Sequence, residues 1–148
     1  MVGFRTRHYY KELKKIPNVR LIPAAQKSLN LIKNSELVIT LLGTAGWEAA
    51  LLKKPVIIFG DIYYDCLSAV KRCRAIEELP SLVQMQLTAF RYDEQQIVHF
   101  IAALFRESFE LDLVSLWDVE GGRRITERRA ELITLVDRFA EKLALNRV

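Results

Sequence analysis

Gly43, Thr44, Ala45, Gly46 and Glu48 stand within six consecutive positions, and their types suit one chemistry. A glycine turn that leads from an apolar strand into a helix presents unpaired backbone N–H groups and the positive end of a helix dipole, and together these favour phosphate. The amides concerned are those of Thr44, Ala45 and Gly46. Glu48, one turn further on, can accept hydrogen bonds from ribose hydroxyls, as acidic residues do in several nucleotide-binding α/β proteins. The competing reading is that Gly43 and Gly46 only permit tight packing and Glu48 only caps or pairs. Both stay open, because neither a GxGxxG nor a GxxxxGK[ST] phosphate loop is present. Trp47 in the same turn suits either stacking on a base or filling the core.

A second group of polar residues follows at Asp61 and Asp65. Either carboxylate can serve as a general base or bind a sugar hydroxyl, although turn formation is the commoner use of such residues. They are the two weak catalytic candidates. Tyr63 and Tyr64 between them offer stacking to the same pocket. No Ser/His/Asp arrangement, nucleophilic cysteine constellation or zinc-like spacing occurs, so no metal and no cofactor is expected. Cys66 and Cys73 read as free thiols.

Placing these groups requires a strand, turn, helix and strand over residues 37–61. The unbroken apolar run 37–42, with β-branched Val38, Ile39 and Thr40, predicts a parallel strand buried on both faces. Gly43 stops it, and Thr44 is in position to cap a helix from Ala45. Lys53 and Lys54 favour that helix's C-terminal end, and Pro55 opens a strand over 56–59 that ends at Gly60 and Asp61. Upstream, the pattern predicts a helix over 9–15, a short strand over 19–22 and a helix after Pro23 with Leu29 and Ile32 buried. The alternation of helix and strand predicts an α/β fold, a Rossmann-like three-layer parallel sheet with flanking helices.

Downstream, residues 70–73 suit an edge strand with Lys71, Arg72 and Arg74 outward, and 76–87 a helix that tolerates Pro80 in its first turn. Asp93 and Gln96 resemble a capping box ahead of the apolar stripe Ile97, Phe100, Ile101, Leu104 and Phe105. His99 lies off that stripe and reads as a surface histidine. Residues 109–122 read as a loop or partial helix. Thr126 is placed to cap a last helix with Leu132, Ile133, Val136, Phe139, Ala140 and Leu143 on one side and Arg123, Arg124, Arg128 and Arg129 around its start.

The 148 residues, 51% of them hydrophobic, are enough for one domain, 1–148, in which 93–148 forms a C-terminal helical part. No apolar run approaches the roughly 18 residues that span a bilayer, which leads to the expectation of a cytoplasmic protein, peripheral at most to the membrane's inner face. Residues 1–33 hold eight Lys or Arg against Glu12 alone. Such a face can meet phosphates or an anionic surface, but a solvated helix face is the more frequent meaning. No aromatic-interleaved RNA motif or zinc finger points to a specific nucleic acid.

The run LIKNSELVITLLGTAGWEAALLKKPVIIFGD over residues 31–61, with similarity extending upstream through 2–22 and more weakly to 76–80, closely resembles the capsule polysaccharide biosynthesis proteins. These are bacterial glycosyltransferases related to the enzymes that add 3-deoxy-manno-octulosonic acid. The resemblance implies the C-terminal, donor-binding half of a two-domain GT-B glycosyltransferase. It further implies that Thr44, Ala45 and Gly46 contact the donor phosphate, Glu48 the ribose or nearby hydroxyls, and Arg5 a basic segment lining the cleft. The implied partners are a CMP- or UDP-linked sugar donor and a polysaccharide or glycolipid acceptor. In such families a His-Pro pair usually precedes the segment matched by Val2, Gly3, Phe4 and Arg5, so the chain is expected to be an N-terminally shortened portion with an open sheet edge available for self-association. Two other expectations stand beside donor binding: a non-catalytic interaction module derived from such an enzyme, and a nucleotide-sugar epimerase-like protein, which shares the strand, glycine, helix and glutamate layout.

Overall fold

Val56, Ile57 and Ile58 form the most deeply buried strand among the described residues, each without solvent exposure. Successive strand side chains point to opposite faces, so zero exposure at three consecutive positions requires cover on both. In the computed structural model, which describes residues 6–108 and 125–145, this strand is β2, the centre of a parallel sheet ordered β1-β2-β3. β1 is Val38–Thr40 and β3 is Val70–Arg72, in registers that set Thr40 beside Ile58 and Ile58 beside Arg72. Burying each aliphatic side chain of β2 contributes roughly 1.5–3 kcal/mol.

Helices α1 (Arg7–Leu13) and α2 (Ser28–Lys33) precede the sheet, and α3 (Thr44–Leu51) crosses from β1 to β2. A 3-10 turn at Ile76–Glu78 leads into α4 (Leu79–Thr88), with Pro80 tolerated in the first turn as expected. Both α3 and α4 pack against β2. Fully buried Ala49 and Ala50 let α3 lie close to the sheet. Gln86 of α4 is 2% exposed, and its amide nitrogen donates to the carbonyls of Val56 at 2.9 Å and Ala69 at 3.1 Å. A buried amide so partnered ties the helix to the beginnings of β2 and β3.

α3 ends in a Schellman arrangement: Lys53 N–H donates to Ala50 O and Lys54 N–H to Ala49 O, with Lys53 at φ 59°. Beyond α4, Asp93 Oδ1 accepts the Gln96 N–H at 3.0 Å at the start of α5 (Glu94–Glu107). The Gln96 side chain does not complete a reciprocal box. Its Oε1 accepts from Ser68 N–H at 2.7 Å and its Nε2 donates to Cys66 O, so it fastens α5 to the loop before β3.

The chain divides into two compact units, Met1–His99 and Phe100–Val148, the division falling within α5. In the second, α6 spans Ile125–Leu145. No described helix is long and apolar enough to cross a membrane.

Several expectations change. Residues 19–22 form no strand. The run VRLI lies between Pro17 and Pro23, and without it β1 has no neighbour on its outer side among the described residues. The strand at 37–42 is therefore shorter, Val38–Thr40, and is an edge strand instead of one buried on both faces: Ile39 is 46% and Leu41 69% exposed. On α5, Ile97 is buried, but Phe105 is exposed. The expected buried side of α6 is exposed at Leu132, Ile133, Val136 and Phe139. His99 is a surface residue, Cys66 an exposed thiol and Cys73 a buried one. Residues 109–122 and Arg123 and Arg124 lie outside the described residues.

Candidate functional site

Parallel strands deliver their C-terminal ends to one edge of a sheet, where α/β proteins hold their ligands. Here that edge carries the Gly43–Thr44 turn after β1, Gly60 and Asp61 after β2, and Arg72 at the end of β3. The turn is built from the strand outward. Thr40 Oγ1 accepts the Gly43 N–H at 3.3 Å, and the chain enters α3 at once. Gly43 is the N-cap and Thr44 the first helical residue, so Thr44 does not cap the helix; no side-chain capping bond is made. Thr40, one turn back on the strand, supplies the hydroxyl that braces the turn instead.

Of the three expected phosphate donors, Gly46 N–H is already committed to Gly43 O at 3.2 Å. The amides of Thr44 and Ala45 take no acceptor among the described residues, and Thr44 is exposed. Glu48 is half-buried one turn further along, and its carboxylate has no hydrogen bond or ion pair with another described residue. An open helix start followed by an available carboxylate is an arrangement that can accept phosphate and hydroxyl groups together.

Gly46 has a packing reason to be glycine. A Cβ built there runs into the Tyr64 hydroxyl, and also lies 3.0 Å from Tyr64 Cζ and 3.1 Å from Thr40 Cγ2. Tyr64 is fully buried and donates its hydroxyl proton to Gly43 O at 2.6 Å. It is therefore not available to stack on a ligand, which corrects the expectation for it. Burial pushes the Tyr64 hydroxyl pKa above its ordinary value, with neighbouring Tyr63 adding to the rise. Tyr63, 53% exposed, packs edge-on against Tyr64 at 5.2 Å between centroids, and Trp47 lies 6.2 Å from Tyr63 and 6.4 Å from Tyr64. Trp47 thus belongs to an aromatic cluster behind the turn.

Asp61 is paired. Both of its carboxylate oxygens meet the Arg72 guanidinium, with Nη2 to Oδ2 at 3.1 Å. Arg72 is the site residue that sequence reasoning read only as an outward edge-strand side chain; the β2–β3 register brings it to Asp61. Asp65 is exposed, lies in a turn in which its N–H donates to Ile62 O, and has a carboxylate without a partner among the described residues. Arg5 lies outside the described residues. Among those described, no group of three or more His, Cys, Asp or Glu is placed to hold a metal ion.

Residues 3–76, which contain all three strands and the turn, match the family model described as capsule polysaccharide biosynthesis protein. The match spans half of the chain. Searches among curated proteins and among solved structures returned no match.

Proposed function

The chain belongs to the capsule polysaccharide biosynthesis protein family, and from that premise and the geometry of the sheet edge we propose that it binds the nucleotide-activated sugar donor of a glycosyltransferase. The observation that carries the reading is the pair of open amides at Thr44 and Ala45, followed one turn later by the available Glu48 carboxylate, at the carboxyl edge of a parallel sheet. The donor's phosphate lies against the two amides and Glu48 accepts from ribose hydroxyls. Arg72, already at this edge, adds a cation within the same group, and Arg5 contributes a second. The donor is CMP- or UDP-linked, the acceptor a polysaccharide or glycolipid, and the chain acts as the donor-binding half of a GT-B enzyme at the inner face of the membrane.

In transfer, the bond between the anomeric carbon and the donor phosphate oxygen breaks while the acceptor hydroxyl oxygen bonds to that carbon. The hydroxyl proton passes to a carboxylate. Negative charge grows on the departing phosphate, and donors aimed at it lower the barrier. Asp65 is the freer of the two carboxylate candidates, because Asp61 is held by Arg72. Calorimetric titration of the chain with CMP, CDP and UDP tests the reading. Saturable binding weakened by Glu48→Gln supports it, and absence of binding by all three nucleotides overturns it.

The outer edge of β1, which has no neighbour among the described residues, favours a second reading, an interaction module. Ile39 and Leu41 present apolar surface there, and no charge or proline interrupts residues 37–42 to discourage pairing. A second copy of the chain meets this edge with an equivalent strand. Sedimentation at rising concentration tests it: a dimer that Ile39→Lys disperses is the expected result, and a monomer throughout rejects it.

A further inference from the structure

On the first unit, away from the strand ends that carry Gly43 and Asp61, a cleft of about 260 Å³ opens beside β3 and the end of α4. Its walls include Ser68, Lys71, Met85, Gln86, Phe90 and Arg91. Three properties of these residues point to a ligand. Lys71 and Arg91 form no ion pair with another described residue, and the acids nearest Arg91 in sequence have other partners: Asp93 accepts the Gln96 N–H, and Glu94 pairs with Lys53 at 3.3 Å. The α4 C-terminus supplies only about half a negative charge against these two cations, so the cleft stays electropositive. Gln86, 2% exposed, spends its amide nitrogen on two backbone carbonyls, which leaves its Oε1 without a donor among the described residues. A buried acceptor of this kind calls for a donor.

We propose that this cleft binds a small hydroxylated anion, a phosphate or carboxylate carrying at least one hydroxyl group. The anion lies between Lys71 and Arg91, a ligand hydroxyl donates to Gln86 Oε1, and the carbon skeleton rests on Phe90 and Met85. The size agrees, since the volume falls just below the roughly 300–1,000 Å³ typical of drug-sized ligand sites. The site is separate from the proposed donor site. Gln86 is anchored to the beginnings of β2 and β3, whereas the Thr44 turn follows the end of β1.

Amide NMR titration of the full chain locates binding as well as detecting it. Glucose 6-phosphate is the hydroxylated anion, inorganic phosphate the bare anion, and glucose the neutral control. The expected result is saturable shifts at residues 68–71 and 85–91 with glucose 6-phosphate, binding at least about tenfold weaker for inorganic phosphate and undetectable for glucose. The double variant Lys71→Ala, Arg91→Ala, in which Arg91 is exposed and Lys71 half-buried, is expected to lose the response while keeping the dispersed spectrum of a folded chain. Absence of shifts up to about 10 mM ligand, a limit that admits even millimolar affinity, overturns the proposal. So do shifts the double variant does not alter, or equal affinity for bare phosphate. Shifts confined to residues 43–48 also overturn it and leave the donor-site reading intact.

Discussion

The Tyr64 hydroxyl donates to the Gly43 carbonyl at 2.6 Å from a ring with no solvent exposure. Tyr64 thereby fixes the N-cap of α3 from a loop 21 residues further along the chain, and it fills the space that the missing Gly46 side chain leaves. The turn that offers Thr44 and Ala45 amides is set in position by a side chain from beyond β2.

Tyr64→Phe keeps the ring and removes the donor. Gly43 O keeps the Gly46 N–H, so stability, measured by urea unfolding, is expected to fall by about 0.5–1.5 kcal/mol, the net contribution of one hydrogen bond. Gly46→Ala alone is expected to destabilise by a similar amount, because its Cβ meets the hydroxyl. Combined with Tyr64→Phe it costs less than it does alone. A double-mutant cycle with strictly additive losses contradicts the packing of the Tyr64 hydroxyl against Gly46.

The same hydroxyl makes stability depend on alkaline pH. Its folded-state pKa is raised above the ordinary 10.0 by burial, and by Tyr63. Above that pH the unfolded chain releases the Tyr64 proton while the folded chain retains it, so stability falls as pH rises. The contribution is complete below pH 10.0 and is lost as pH climbs through the folded value. The stability difference between wild type and Tyr64→Phe is therefore expected to be constant at neutral pH and to shrink above 10.0. A difference that widens there has the wrong sign.

The parts of this site visible in the sequence are those set by local chemistry. The β-branched apolar run Val56–Ile58 and the glycine turn after Thr40 announced a strand and a helix start, and both form. Residues 19–22 carried a similar local signal but lie between Pro17 and Pro23 and form no strand. Arg72 meeting Asp61 follows from a register between strands, and register is a relationship no short stretch encodes. Tyr64 looked like a stacking residue because its neighbours are aromatic and acidic. Its burial depends on how the loop after β2 folds back against Gly46, which only the assembled structure displays.

The Asp61 side chain is 77% exposed and the Arg72 side chain 35%, so solvent screens the pair and Asp61→Asn is expected to change stability by no more than about 1 kcal/mol. Its effect on binding is expected to run the other way. Freed from a carboxylate, Arg72 presents its full fork to a phosphate, and nucleotide affinity rises severalfold by calorimetry. Asp61→Asn weakening nucleotide binding instead would assign the carboxylate, and not Arg72, to ligand contact.

Thr44→Pro isolates the open amide itself. Thr44 is the first residue of α3, where proline's fixed φ suits the helix and its missing N–H breaks no helical bond. The preceding Gly43 is extended, at φ −84° and ψ 159°, the conformation that proline demands of its neighbour. The substitution is thus expected to leave unfolding free energy within about 1 kcal/mol of wild type. A charge-assisted hydrogen bond contributes roughly 1.5–3 kcal/mol, so losing the Thr44 donor is expected to weaken nucleotide binding about tenfold or more. Thr44→Ala, which keeps the amide and removes only the hydroxyl, should bind nearly as wild type does. If the two variants weaken binding equally, the hydroxyl carries the contact; if neither does, phosphate is not bound at the start of α3.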